Sequence, residues 1–155
     1  MESGFEYITE QDRVRGAGQR RRFLGLLEEQ ARLERMARIV GKDALPPRQQ
    51  QVLLCAELIN EAFLRQSAFS PLDRFCSPER QIAMMQTLVQ FIDLCEAALA
   101  QQVDMAEVAA LPLLRRLRRM GEDIGDQRLD DFDALRREME TAFLQLARAG
   151  AADAG

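Results

Sequence analysis

Ser77-Pro78-Glu79-Arg80-Gln81-Ile82-Ala83-Met84-Met85-Gln86-Thr87-Leu88-Val89-Gln90-Phe91-Ile92-Asp93-Leu94-Cys95-Glu96-Ala97-Ala98-Leu99-Ala100-Gln101 is the stretch that decides the fold. It opens with three helix-start signals in a row. Serine can cap, proline suits the first helical turn, and glutamate suits the positive end of the helix dipole. Ile82, Met85, Leu88, Val89, Phe91, Ile92, Cys95 and Leu99 then recur at helical spacing over a wide arc. So wide an apolar face predicts a central helix, largely buried by neighbours.

The flanks supply those neighbours. Upstream, Phe23, Leu26, Leu27, Leu33, Met36, Ala37 and Val40 predict a helix over 21–40, with Gly41 as its stop. After Asp43-Ala44-Leu45, Pro46 and Pro47 open a second helix over 47–66, buried through Val52, Ala56, Ile59 and Phe63. Downstream, Asp104 and Glu107 form a capping-box spacing ahead of a short helix to about Ala110. Pro112 opens another, with Leu113, Leu114, Leu117 and Met120 inward, Arg115, Arg116, Arg118 and Arg119 outward, and Gly121 as its stop. A last helix over 127–148 carries Leu129, Phe132, Leu135, Met139, Phe143 and Leu146. No stretch alternates with period two and no repeat is present. The expected fold is all-α, a bundle of five to six helices, with 1–20 as a linker or flexible segment, 21–150 as the helical domain and 151–155 as a flexible tail.

Composition narrows the chemistry. The 155 residues are 47% hydrophobic and 30% charged, enough for one core with a solvated surface. A net charge of −4 weighs against a nucleic-acid binder. With no histidine, Ser-His-Asp, Cys-His and histidine–metal chemistry are excluded. Cys55, Cys76 and Cys95 are too widely spaced for a zinc motif and read as buried thiols. No signal peptide and no unbroken apolar run of the ~18 residues that a membrane span needs is seen. Gly41-Lys42 is the only Gly-Lys, but Met36 stands where a phosphate-binding loop needs its first glycine and Asp43 where it needs Ser or Thr. No catalytic residue and no metal ligand is assigned.

Three stretches carry a family resemblance. Leu27 to Leu45 ends in Val40-Gly41-Lys42-Asp43-Ala44-Leu45, Phe63-Leu64-Arg65-Gln66-Ser67-Ala68-Phe69 follows, and Asp73-Arg74-Phe75-Cys76-Ser77-Pro78-Glu79-Arg80-Gln81 completes the set. In this order they resemble the C-terminal domain of the catalytic A subunit of V- and A-type rotary ATPases. The likeness extends over about 23–120 and is weaker over the last helix.

The resemblance implies a helical domain that follows a nucleotide-binding domain in the full-length catalytic chain. There three catalytic and three non-catalytic B subunits alternate in a ring, and ATP with magnesium binds between them. The helical domain would swing with nucleotide, touch a central shaft and so couple ATP turnover to ion transport. The complex would be cytoplasmic and meet the membrane only through other subunits. Phe69 and Phe75 would cover the adenine, which suits aromatic faces because stacking requires no hydrogen-bond code. Gly41, Lys42, Asp43, Ala44, Leu45, Pro46, Pro47 and Arg48 would form the shaft-contacting turn, stiffened by two prolines. Relatives often carry acidic residues after the Asp-Ala-Leu; Pro46-Pro47-Arg48-Gln49-Gln50 carries one positive charge instead. The chain alone is expected to be a monomer that binds no cofactor tightly and does not hydrolyse ATP. Since a fold can be reused, a free-standing helical adaptor is the alternative, whether the chain is a piece of a larger polypeptide or a separate product.

Overall fold

The computed structural model describes residues 10–64, 78–125 and 128–154, with side-chain environments for 17–62, 79–125 and 128–151. Among the described residues six α-helices make up the fold: α1 (Glu10–Val40), α2 (Pro47–Ile59), α3 (Pro78–Ala100), α4 (Met105–Ala109), α5 (Leu113–Asp123) and α6 (Asp130–Ala154). A 3₁₀ turn (Lys42–Ala44) joins α1 to α2, and a π-helical turn (Asn60–Leu64) continues α2. Among the described residues there is no strand, as the periodicity requires.

The order of contacts makes α2 and α3 the centre. α1 packs along α2, α2 against α3, and α3 against α6, while α5 closes on the π turn and α6. The main core gathers Leu58, Ile59, Leu88, Phe91, Ile92, Cys95, Leu117, Met120, Phe132 and Met139, all nearly inaccessible. Phe91 meets Phe143 edge to face, with ring centres 5.8 Å apart. Polar links tie the outer helices to α3. Arg22 of α1 pairs with Asp93 at 2.8 Å and Glu96 at 3.1 Å. The Arg136 Nε of α6 donates to Gln90 Oε1 at 2.6 Å.

Several sequence expectations shift by a turn or a face. α1 starts at Glu10 rather than Arg21, so the boundary drawn at residue 20 falls inside it. Each interior glycine costs only ~1 kcal/mol, which neighbouring good helix formers can offset. On α3, Ile82 is 40% exposed, whereas Met84 and Ala98 are buried. On α2 the buried set also takes in Gln51, Leu53, Leu54, Cys55 and Leu58, because the helix is covered on more than one side. Gly121 lies within α5, which ends at Asp123. Asp104 does cap α4, its carboxylate accepting from the Ala106 N–H at 3.0 Å. By length and composition the segment Glu79–Ala100 would suffice to cross a membrane, although no unbroken apolar run announces it. Here 39% of that stretch is buried, on the sides that meet α2 and α6, less than the largely buried helix that its wide apolar face predicts.

Candidate functional site

The turn between α1 and α2 is built from both sides. α1 stops at Val40, and Gly41 takes φ +89° and ψ 147° while its N–H donates to the Ala37 carbonyl at 2.7 Å. That conformation is open essentially to glycine alone. The chain then closes a 3₁₀ turn, with Ala44 N donating to Gly41 O and Leu45 N to Lys42 O, each at 3.2 Å. Pro46, extended at ψ 148°, caps α2, and Pro47 occupies its first turn.

Three side chains fix this turn to the helices behind it. Leu45 is 3% exposed and joins Leu33 of α1 and Leu53 of α2 in a small second core, flanked by Met36, Ala37 and Val52. Gln50, one turn into α2, reaches back so that its Nε2 donates to the carbonyls of Leu45 at 2.8 Å and Asp43 at 3.2 Å. Lys42 Nζ lies 3.0 Å from Glu57 Oε1 and ties the tip to the flank of α2. The outer surface is left to Gly41, Lys42, Asp43, Ala44, Pro46, Pro47 and Arg48, all exposed. Of the eight residues assigned to a contacting turn, Leu45 alone faces inward, as the anchor of the tip. Ile39 and Val40, assigned no contact role, are 84% and 56% exposed beside it. Val40 continues the inward stripe of Leu33, Met36 and Ala37 but stands beyond the end of the core.

Phe69 and Phe75 lie outside the described residues, as does the segment 65–77 that carries them. Its two attachment points are described. α2 continues through the π turn to Leu64, and α3 begins at Pro78. The π turn is fastened to α5 by Glu61, whose carboxylate lies 3.0 Å from Arg118 Nε. Two further arginines of the α5 run are paired: Arg116 with Glu138 of α6, and Arg119 within α5 itself, 3.7 Å from Asp123. Between α5 and α6 runs a cleft of about 310 Å³ over Met120, Ile124 and Leu135, bridged by the Arg116–Glu138 pair.

The described thiols are core groups. Cys55 and Cys95 are both fully buried and free, and Gln51 Nε2 donates to Cys55 Sγ at 3.3 Å. A hydrogen bond to Cys55, followed by burial, pushes the Cys95 thiol far above its ordinary range. Among the described residues no cluster of three or more histidine, cysteine or carboxylate side chains could hold a metal ion.

Comparison with known proteins gives one family. Residues 9–109 match the C-terminal domain of V and A type ATP synthase, a span running from the start of α1 to the end of α4. The chain is similar to the A subunit of the A-type ATP synthase of Pyrococcus abyssi, at 40% identity over 95 residues, 61% of this chain and 9% of that relative. It is similar to the corresponding A subunit of Pyrococcus horikoshii at 39% over 97 residues, 63% of this chain and 10% of the relative. A V-type ATP synthase alpha chain of Nitrosococcus oceani is 34% identical over 123 residues, 79% of this chain and 21% of the relative. The chain thus spans between about a tenth and a fifth of the length of these curated relatives.

Proposed function

The chain belongs to the family of C-terminal domains of V and A type ATP synthases, and from that premise we propose that it is the force-transmitting helical domain of a catalytic A subunit. In this reading Phe69 and Phe75 cover the adenine of ATP, and the outer face of the Gly41–Arg48 turn bears on the central shaft. ATP and magnesium are held between the nucleotide-binding domain of the full-length catalytic chain and its non-catalytic B neighbour. The swing of the helical domain couples their turnover to ion transport. The domain works in the cytoplasmic head of the complex, reaching the membrane only through other subunits.

One observation carries this reading. The braced tip and Leu64, from which the segment bearing Phe69 and Phe75 departs, terminate the two ends of α2 and its π continuation. Between them lie eighteen residues, from Pro47 to Leu64, or roughly 25 Å of helix. A stiff rod whose middle is buried in the core, with a rigid tip at one end and the segment bearing Phe69 and Phe75 joined to the other, is suited to pass displacement from nucleotide to shaft. α3 packs against the rod, and α5 clamps its π continuation through the Arg118–Glu61 pair.

The test is made in the assembled complex. Phe69→Ala removes a stacking face worth ~1–3 kcal/mol and is expected to raise the Michaelis constant for ATP roughly tenfold, with less change in the maximal rate. An unchanged constant overturns the adenine assignment.

A further inference from the structure

α5 carries four arginines, and the sequence pattern turns all of them outward. Arg115, Arg116 and Arg119 are indeed exposed, but Arg118 is partly buried. It follows the wholly buried Leu117, and its Nε lies 3.0 Å from Glu61 Oε2. The pair joins α5 to the π turn, two elements far apart in the chain that also pack against each other. α5 begins at Leu113, beyond the 9–109 span that matches the family, so this link is supplied from outside that span.

The π turn is the unusual element of the fold. π geometry is rare, forms mostly as single turns and is frequent at functional sites. Its hydrogen bonds reach one residue further than those of an α-helix, so the chain leaves it in a different direction than an α turn would give. Whatever holds the turn therefore holds the direction in which residue 65 departs. Ala62, in the middle of the turn, is wholly buried, two residues before its end at Leu64. The other attachment of the segment 65–77 is less enclosed. Glu79, Gln81 and Ile82 at the start of α3 are exposed, and the first buried side chain described there is that of Met84. The upstream end is thus the better placed to fix where the segment starts.

Resting on the adenine reading above, we propose that Arg118 is a positioning residue: through Glu61 it holds the π turn, and with it the start of the segment that carries Phe69 and Phe75, where that segment meets the nucleotide. Arg118 touches no nucleotide in this assignment and acts only through the turn. Partly exposed ion pairs add little to overall stability, so its removal should be felt at the turn rather than in the fold.

Two measurements test this. In the chain itself, Arg118→Met retains an apolar stem and removes the charge. Hydrogen exchange at Glu61 and Ala62 should rise several-fold in this variant, while Leu54 and Leu58 exchange as before and the melting temperature is little changed. In the assembled complex, Arg118→Met and Glu61→Ala should each raise the Michaelis constant for ATP about two- to fivefold, the range that a pair of this strength allows, with less change in the maximal rate. Because both act through one contact, the double variant should be no worse than either single one. Arg118→Lys retains the charge without the planar fork and should recover part of the loss. Phe69→Ala is measured alongside. If it raises the constant and Arg118→Met does not, or if the effects of Arg118→Met and Glu61→Ala add, the proposal is overturned and the adenine reading stands. Unchanged exchange in the π turn overturns the proposal by itself. If Phe69→Ala is without effect, the adenine reading falls and the proposal with it.

Discussion

Gln50 holds Leu45 from behind: its side-chain amide donates to the Leu45 carbonyl at 2.8 Å, and reaches the Asp43 carbonyl at 3.2 Å as well. A short turn between two helices has few backbone bonds of its own, so a glutamine that spans it acts as a brace. Gln50→Ala should therefore cost about 1 kcal/mol, the usual net worth of an intramolecular hydrogen bond. The larger effect should fall on the tip. Hydrogen exchange at Ala44 and Leu45 should rise well above that of the α2 interior. In the assembled complex, coupling of ATP turnover to ion transport should drop while the Michaelis constant for ATP stays within twofold. Equal exchange at the two places would mean that the brace is idle.

Leu45 is the anchor of the second core, packed with Leu33 and Leu53. Leu45→Ala removes a buried side chain where two helix ends and a turn meet, and should cost about 2–4 kcal/mol by chemical denaturation. Leu45→Met, close in volume, should recover most of that loss. If both variants lose the same amount, the site requires the shape of leucine rather than its bulk.

Two of the glycines in or next to helices, Gly41 and Gly25, should respond in opposite directions to alanine. Gly41 has open space where a Cβ would stand but a backbone at φ +89°, so Gly41→Ala is opposed by the backbone alone and should cost about 1–3 kcal/mol. Gly25 lies inside α1 with the same open space and no unusual φ, and Gly25→Ala should stabilise by about 0.5–1 kcal/mol. Melting curves of the two variants decide it. Matching signs would show that conformation at Gly41 is not what limits the turn.

What the sequence discloses and what it hides follow from range. The capped start of α4, the proline start of α2 and the inward leucines of α5 are local signals, and each stands where spacing puts it. In the sequence the core of α2 reads through Val52, Ala56, Ile59 and Phe63; Ala56 and Ile59 are buried, Val52 only in part, the Phe63 side chain lies outside the described residues, and Leu53, Leu54, Cys55 and Leu58 are buried as well. A helix enclosed by partners on several sides loses its stripe, and periodicity then indicates too narrow a face. Val40 looks like the continuation of a buried pattern, and only the end of the core leaves it in water. Gln50 gives no signal, because a glutamine that braces a turn is spelled like one in solvent. The turn between α1 and α2 is legible as a stop glycine and a proline pair, but not the inward direction of Leu45.

Cys95 supplies a prediction on pH. Its thiol is held protonated in the fold by the hydrogen bond to Cys55 and then by burial, well above the ordinary value of 9.0. A folded pKa above the unfolded one gives stability that is complete below about pH 8.5 and is lost as pH rises. Above that point the unfolded chain releases the proton and the native chain does not. Stability should therefore decline through Cys95 as pH rises past the range in which an unfolded thiol titrates. Denaturation at pH 7.5, 9 and 10.5 measures the decline, and Cys95→Ala, whatever its constant packing cost, should flatten it. In the native chain, peptide mapping after treatment with a thiol alkylator should find Cys55 and Cys95 unmodified at pH 8, and both modified after unfolding. Rapid native alkylation of Cys95 would place its thiol in contact with solvent and remove the basis for the slope.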